Sequence, residues 1–247
     1  MTESASDVDA KKYPMPFTRV EIAALSVFDG VFSVLLGLRG KAPDAQKWAL
    51  PGGVVRIDLD QNLEAAAHRV AHERLGVQVN YLRQQCAVGG RARDPRAPWA
   101  ISIVYRVLTR VDSFEPKIGK RLDALLWVPV DKAIAHKELA FDHNEIIQRV
   151  VDDIRREIAS LDLPFEFLPE QFSLPELQKT CETLLGRPLD KSSFRRRLDD
   201  RDVLEPVPGA QRKGANRPAQ LFRQKMADPN DHGHLLNDID NPLSPQA

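Results

Sequence analysis

The stretch LPGGVVRIDLDQNLEAAAHRVAHERLGV, from Leu50 to Val77, decides the fold of this chain. Its Pro-Gly-Gly run at 51–53 predicts a tight turn, and Asn62 is a typical N-cap for a helix that begins near Leu63. Gly76 follows the helical pattern as a C′ residue would. Small and apolar residues recur at spacings of three and four, so one face of the helix packs on a core. These residues are Leu63, Ala66, Ala67, Val70, Ala71 and Leu75.

Runs rich in β-branched and aromatic residues flank this helix and predict the strands of a sheet. Asp29-Gly30 separates the first two runs and is a strong signal for a two-residue hairpin turn. The alanines of the helix are small enough to let it lie close to such a sheet. The predicted strands are residues 17–28, 31–39, 77–88, 99–108 and 122–130.

A second long helix is predicted after the last of these strands. Asp142 is a suitable N-cap, Glu145 three residues later is its capping-box partner, and the helical pattern continues to about Ile158. His143 follows the cap directly. Helix capping and ligand binding are therefore two competing roles for the Asp142-His143 pair.

The first helix and the turn before it resemble a Nudix box, whose pattern is G-x5-E-x7-R-E-U-x-E-E-x-G-U with U a bulky aliphatic residue. If Gly76 is the last glycine of that pattern, Arg69 is its arginine. The four acidic positions then fall on Gln61, Val70, Glu73 and Arg74, so one acid in four remains. An insertion near residues 58–60 also lengthens the loop after Gly53.

In the Nudix enzymes that this stretch resembles, the glutamates hold divalent metal ions, which bridge the substrate diphosphate and activate water. Arg74 places a permanent cation where a metal-binding carboxylate belongs, so metal binding should be lost or severely weakened. Asp58 and Asp60, in the inserted loop, are the remaining acids within reach of the site. Arg69 and Glu73 are also spaced for an ion pair along the helix, which would be worth a few tenths of a kcal/mol, roughly 0.2–0.5.

The C-terminal part of the chain has a different periodicity. A short apolar linker with two prolines, residues 162–169, precedes a helix that Ser173 caps. A second short helix begins at Asp190 or Ser192, and its two apolar residues are four positions apart. Two short β runs then flank a basic loop. Helix, turn, helix and hairpin is the order of a winged helix-turn-helix.

The distribution of charge supports a nucleic-acid partner for this part. The whole chain has 35 basic and 35 acidic residues, but residues 187–225 contain 11 lysines and arginines against five acids, a net charge of +6. Phosphate backbones bind such surfaces through counterion release, and arginines of a recognition helix pair with guanine. A merely solvated helix face is the alternative. The candidate DNA-binding residues are Lys191, Ser192, Ser193, Arg195, Arg196, Arg197, Arg212, Lys213 and Arg217.

From about Thr18 to Gln224 the chain resembles the Nudix-related transcriptional regulators of the NrtR family. The segments FSLPELQ from Phe172, LGRPLDKSSFRRRL from Leu185 and GANRPAQLF from Gly214 carry the resemblance. It implies a homodimeric repressor of NAD synthesis or salvage genes. Its Nudix domain would bind ADP-ribose or a related NAD metabolite as an effector without hydrolysing it. A ligand that rotates the two modules about the linker at 162–169 would spoil DNA binding.

The resemblance also implies the domains and the ligand site. The expected fold is α+β, with flexible residues 1–14, a Nudix α/β/α sandwich with a mixed sheet at 15–160, a winged helix-turn-helix at 161–226 and a disordered tail at 227–247. No catalytic residue, metal ligand or cofactor is expected. The candidate ligand residues are Arg39, Arg56, Arg69 and Glu73 near the diphosphate, Arg93, Asp94 and Trp99 in a loop near adenine or ribose, and His143.

Two other function classes stay open. One is an ADP-ribose or nucleoside-diphosphate hydrolase with an atypical metal site, and the other is a Nudix-like adaptor that binds RNA or protein. The start of the chain is polar and no apolar run is long enough to cross a membrane, which indicates a cytoplasmic protein. Cys86 and Cys181 lie in apolar patterns of different domains and are predicted to be two buried thiols.

Overall fold

The computed structural model describes residues 15–79, 81–91, 93–212 and 219–225. No helix in this part of the chain is long and apolar enough to cross a membrane. The strands are β1 Phe17–Phe28, β2 Val31–Arg39, β3 Trp48–Ala49, β4 Gly52–Val54, β5 Arg83–Arg91, β6 Trp99–Leu108, β7 Leu122–Pro129, β8 Phe172–Ser173, β9 Leu204–Arg212 and β10 Ala219–Gln224. The helices are α1 Leu63–Leu75, α2 Val130–Ala135, α3 His143–Ala159, α4 Leu174–Leu185 and α5 Lys191–Arg201.

The first domain is built on a mixed sheet in the order β3-β2-β1-β6-β5, with β4 on β1 and β7 on β2. Strand β1 pairs antiparallel with β2 and parallel with β6. The predicted hairpin is confirmed, because Phe28 pairs with Val31 and Asp29 and Gly30 between them have φ of 48° and 75°. Positive φ at both positions is the geometry of a type I′ turn, which Asp-Gly favours.

Each face of this sheet is covered by a separate apolar core. Along β1, Val20, Ile22 and Ala24 pack in the core that contains α1, while Ala23 and Leu25 pack in the core that contains α3. This alternation follows from the two-residue period of a strand. The sheet therefore lies between helices, and the predicted Nudix α/β/α sandwich is confirmed.

Helix α1 has the predicted ends. The Asn62 side chain accepts a hydrogen bond from the amide of Ala65 at 2.8 Å, and Gly76 ends the helix with φ of 65°. The ion pair between Arg69 and Glu73 is also present, at 3.5 Å. The local signals of this stretch were thus sufficient to place the helix on which the Nudix pattern lies.

Two expectations for the first domain were wrong. The strand predicted at 77–88 begins at Arg83, because Val77 and Val79 pack against the α1 core without pairing with a neighbouring strand. Asp142 precedes α3 but makes no side-chain capping hydrogen bond. Its carboxylate instead accepts two hydrogen bonds from Arg93, at 2.6 and 2.7 Å.

The second domain combines α4 and α5 with a small sheet in the order β8-β10-β9. Ser173 and Glu176 form a capping box at the start of α4, and Asp190 caps α5 through the amide of Ser193. Phe194 and Leu198 of α5 are buried, as their spacing predicted. The order of helices and hairpin is that of a winged helix-turn-helix.

The segment between the domains lies in the apolar core. Leu163, Phe167 and Leu168 are buried, and the Phe167 ring contacts Phe32 of β2 edge to face, with centroids 6.1 Å apart. Cys181 of α4 is a buried free thiol, as predicted. Cys86 is also free but is only partly buried, so its predicted burial is incomplete. The linker packs on the second domain as well, because the ring centroids of Phe165 and Phe172 of β8 are 5.8 Å apart.

Candidate ligand cleft and DNA-binding surface

A cleft beside the Gly-Gly turn is lined by basic side chains from five separate parts of the first domain. Its other described lining residues are apolar or glycine, and none is acidic. Antiparallel pairing of β4 with β1 places the turn against Arg19, and the C-terminal turn of α1 adds Arg74. A cleft lined by one sign of charge attracts ions of the opposite sign, here anions. The basic lining residues are Arg19, Arg39, Lys41, Arg74, Arg96 and Arg121.

Arg74 is held by main-chain oxygens instead of a carboxylate. Its Nε donates to the carbonyl of Gly52 at 2.8 Å and its Nη1 donates to the carbonyl of Lys120 at 2.9 Å. Lys120 is in place because the loop at 117–120 packs on the end of α1, where the Gly119 amide donates to the Arg74 carbonyl. The position that the Nudix pattern gives to an acid thus holds a fixed guanidinium.

Arg39 lies at the end of β2 and is fixed in a similar way. Its Nε and Nη2 donate to the carbonyl of Pro43 at 2.9 and 2.7 Å, and its guanidinium lies 4.9 Å from the centre of the Phe141 ring. Burial lowers the pKa of Arg39, and repulsion by Arg19 lowers it further. A bound anion would relieve this repulsion.

Beneath the cleft lies a buried group of charged residues around Glu21. Arg19 donates to its carboxylate at 2.8 Å, and Ser102 donates at 3.2 Å. His143 lies 3.9 Å away through Nε2, while its Nδ1 accepts from the amide of Leu50 at 2.9 Å. Burial lowers the pKa of His143 to about 4, against the opposing effect of Glu21, so this histidine is neutral at pH 7. The group positions Leu50 and the turn that follows it.

A second cleft adjoins the first at Phe141, whose ring lies under Arg19 and Arg39. Arg93 lines this cleft and is paired with Asp142. The nearby loop is fixed by Asp94, whose carboxylate accepts from the side chain and the amide of Arg96. Trp99 is partly exposed and lies over Gly89, where a Cβ atom would be 2.5 Å from the indole ring.

The structure brings together only some of the ligand residues predicted from the sequence. Arg39 lines the first cleft, Arg93 lines the second, and His143 lies behind the first. Five others line neither cleft, and two of these, Asp94 and Trp99, belong to the nearby loop. Arg56 is exposed and paired with Asp58, Arg69 is paired bidentately with Asp60, and Glu73 contacts Arg69 and Lys120.

Sequence reasoning missed several residues of the clefts: Arg19, Glu21, Lys41, Arg121 and Phe141. A signal was present for the first two, because charged residues at alternate positions of an otherwise apolar strand lie on one face and require partners. For Arg121 and Phe141 the sequence offers no comparable signal. Both have positive φ, of 64° and 56°, in loops whose positions depend on tertiary packing.

The candidate DNA-binding residues of α5 form an exposed face. Lys191, Ser192 and Ser193 lie in its first turn, and Arg195 and Arg196 follow, all of them exposed. No ion pair or hydrogen bond engages the side chains of Arg195 and Arg196 in the described part of the chain. Arg212 is the last residue of β9, whereas Lys213 and Arg217 lie outside the described residues.

Two arginines of α5 contact the first domain. Nη2 of Arg197 donates to the carbonyl of Ala159 at 2.6 Å, and Nη2 of Arg201 donates to the carbonyl of Ser160 at 3.2 Å. These carbonyls end α3, where the helix dipole favours a cation. Helix α3 therefore begins at the ligand clefts, through Asp142 and His143, and ends at the candidate recognition helix.

Comparison with known proteins agrees with this architecture. Residues 17–150 match the model of the NUDIX domain, and residues 164–224 match that of the NrtR DNA-binding winged helix domain. The fold and the clefts thus define a Nudix domain joined to a winged helix domain. An Acinetobacter baylyi protein named ADPR responsive transcriptional repressor NtrR is 36% identical over 216 residues, which cover 87% of this chain and 85% of that protein. The chain belongs to the NrtR family.

Solved structures show the same arrangement. Shewanella oneidensis NrtR in complex with a 27mer DNA is 31% identical with a TM-score of 0.71, and the match covers 84% of this chain and 93% of that chain. The NUDIX domain of the same protein in complex with ADP ribose is 27% identical with a TM-score of 0.55, and the match covers 62% of this chain and 99% of that chain.

Proposed function

We propose that this protein is a transcriptional repressor that binds operator DNA through α5 and the wing and is released from it by ADP-ribose. The observation that carries the proposal is the pairing, in one chain, of an acid-free cationic cleft at the Nudix turn with a winged helix that exposes Arg195 and Arg196. The diphosphate would lie on Arg39 and its basic neighbours, and the nucleoside near the loop at 93–99. The related repressor and the two Shewanella structures support the assignment.

The effect of ADP-ribose on DNA binding follows from thermodynamic linkage. If ADP-ribose binds the free repressor more tightly than the DNA-bound repressor, it must weaken DNA binding by the same factor. We propose a homodimer, whose two recognition helices would lie one DNA turn apart, about 34 Å. Helix α3 connects the two sites, because its first residues contact the clefts and its last carbonyls bind Arg197 and Arg201. The regulated genes would be those of NAD synthesis or salvage.

A mobility-shift titration tests this function. The full chain is titrated on DNA from upstream of its own and neighbouring genes, with and without ADP-ribose, and the ADP-ribose remaining is measured by chromatography. Sequence-specific binding that ADP-ribose releases, with no ADP-ribose consumed, is the expected result. Absence of specific binding together with magnesium-dependent loss of ADP-ribose would establish the hydrolase instead.

A further inference from the structure

The metal site that the Nudix fold implies does not fit the residues of this chain. Magnesium requires oxygen ligands that carry negative charge. Of the four pattern positions only Glu73 is acidic, and it is engaged by Arg69 and Lys120, each at 3.5 Å. The described residues contain no group of three or more His, Cys, Asp or Glu arranged to hold a metal ion. The two acids of the inserted loop do not supply one, because Asp58 and Asp60 are paired with arginines.

Arg74 stands at a pattern position that belongs to an acid, and its guanidinium retains free donors. Nε and one hydrogen of Nη1 are used by the carbonyls of Gly52 and Lys120. The hydrogens of Nη2 are not engaged within the described structure. Nη2 lies beside Gly53, which lines the cleft, at 3.6 Å from the point that a Cβ atom there would occupy. A guanidinium has five N–H donors, so a ligand in the cleft still finds partners.

Arg74 makes no ion pair within the described chain, although the charge of Glu73 raises its pKa. Its two partners are neutral carbonyl groups, and the guanidinium of Arg39 is likewise bound by a carbonyl. Burial lowers the pKa of Arg74, and repulsion by Arg121 and Arg19 lowers it further against the effect of Glu73. Because arginine stays protonated, this instability is relieved by an anion and not by loss of a proton.

We propose that Arg74 is a diphosphate ligand that replaces the metal ions of Nudix enzymes, so that the cleft binds its effector without a divalent cation. The identity of the effector as ADP-ribose rests on the proposed function, but the inference itself requires only a diphosphate. A metal ion both neutralises the diphosphate and activates water, whereas a guanidinium does only the first. The replacement therefore separates binding from hydrolysis and lets the effector persist while it is sensed.

Calorimetric titrations of the full chain test the inference with two probes, ADP-ribose and inorganic pyrophosphate. Each is titrated in EDTA and in magnesium chloride, and both probes are expected to bind in EDTA. Magnesium should tighten neither Kd, and it should weaken the apparent binding of pyrophosphate because it forms a complex with the free probe. Arg74→Gln should weaken both probes by roughly 10- to 100-fold, the value of a hydrogen bond to a charged group. Arg110→Gln removes an arginine outside both clefts and should leave both affinities unchanged.

Loss of folding is separated from loss of a ligand contact by two further measurements. Thermal unfolding of Arg74→Gln is recorded, because Arg74 also joins β4 to the loop at 117–120. Arg74→Lys keeps the charge without the planar fork and should recover part of the affinity. The comparison of EDTA with magnesium uses the wild-type chain and needs no variant.

The outcomes distinguish this inference from the proposed function. ADP-ribose binding that requires magnesium, or that a folded Arg74→Gln retains in full, would overturn the inference and leave the repressor function standing. Pyrophosphate binding in EDTA that Arg74→Gln loses, without any binding of ADP-ribose, would support the inference and reject ADP-ribose as the effector. Failure of both probes to bind in EDTA would also overturn it.

Discussion

The chain carries two groups of arginines, of which one is held in place by the protein and the other is exposed to solvent. Those of the cleft are held by carbonyls, carboxylates and an aromatic ring, so that Arg74 and Arg39 have defined positions. Arg195 and Arg196 of α5 are exposed and have no partner in the described structure. Fixed cations suit a small anion that must be recognised by shape. Mobile, solvated cations suit a polyanion whose binding is driven by counterion release.

The largest effect is expected when the exposed arginines of α5 are removed. Arg195→Ala combined with Arg196→Ala should weaken DNA binding by about 100-fold or more, since one good arginine contact to a base is worth about 1–3 kcal/mol. The affinity for ADP-ribose should not change. Mobility shifts at several salt concentrations give both the affinity and its salt dependence.

The salt dependence shows which contact each arginine makes. A phosphate contact that is lost should reduce the slope of log K against log salt by about 0.9, whereas a base contact should leave the slope nearly unchanged. Lys132→Ala with Arg156→Ala removes two exposed charges from the first domain and serves as the control. If this control weakened the affinity for DNA as much as the α5 variant does, DNA binding would depend only on the net charge of the protein.

The buried group around Glu21, which includes His143, should make the stability of the first domain depend on pH, whereas the exposed arginines of α5 should not. The folded pKa of His143 lies below its ordinary value, at about 4, because the side chain is buried. The unfolded state therefore binds the extra proton between about pH 6.5 and 4, and stability is full above that window and falls as the pH is lowered through it. The loss between pH 7.5 and 5 should be about 2 kcal/mol.

Urea unfolding at several pH values measures this loss. His143→Gln should be less stable at pH 7.5 but should lose less on acidification, because no buried imidazole remains to be protonated. His72→Gln changes an exposed histidine of α1 and should keep the wild-type pH dependence. An unchanged pH dependence in His143→Gln would place the acid-sensitive group elsewhere.

A smaller effect is expected where the two regions meet. Arg201→Ala removes the hydrogen bond to Ser160 at the end of α3. If α3 transmits the signal, the loss of DNA affinity caused by ADP-ribose should shrink by roughly 2- to 30-fold, since single changes alter such coupling by about 0.5–2 kcal/mol. Arg156→Ala removes an arginine paired within α3 itself and should leave the coupling intact. Coupling that survives Arg201→Ala would exclude this contact from the route.

The sequence predicted the parts of this comparison that depend on short spacings. Asn62, Gly76 and the Asp29-Gly30 turn were placed correctly because caps and turns are local. Arg39 of the cleft was predicted, but Arg19 and Arg121 were not, because they reach it through the pairing of β1 with β4 and through packing of the loop at 117–120 on α1. Asp142 shows the same limit, since a partner 49 residues away took the carboxylate that a local rule assigned to a cap.

The smallest effect is expected for Arg56, which the sequence pattern placed in the ligand site but which lies outside the clefts of the structure. Arg56 was predicted near the diphosphate, but its side chain is exposed and its guanidinium pairs with Asp58 in the inserted loop. Exposed pairs of this kind contribute about 0–1 kcal/mol. Arg56→Ala should therefore change the ADP-ribose affinity by less than about 2-fold, whereas Arg39→Ala should reduce it by at least about 10-fold.

Calorimetry on the two variants measures the difference, and thermal unfolding confirms that both are folded. A loss in Arg56→Ala as large as that in Arg39→Ala would mean that the loop at 56–60 closes over the ligand and that the unliganded cleft is only part of the site. Equal and small losses in both variants would place the diphosphate away from the end of β2. A loss confined to Arg39→Ala would show that the ligand binds in the cleft at the end of β2 and does not contact the inserted loop.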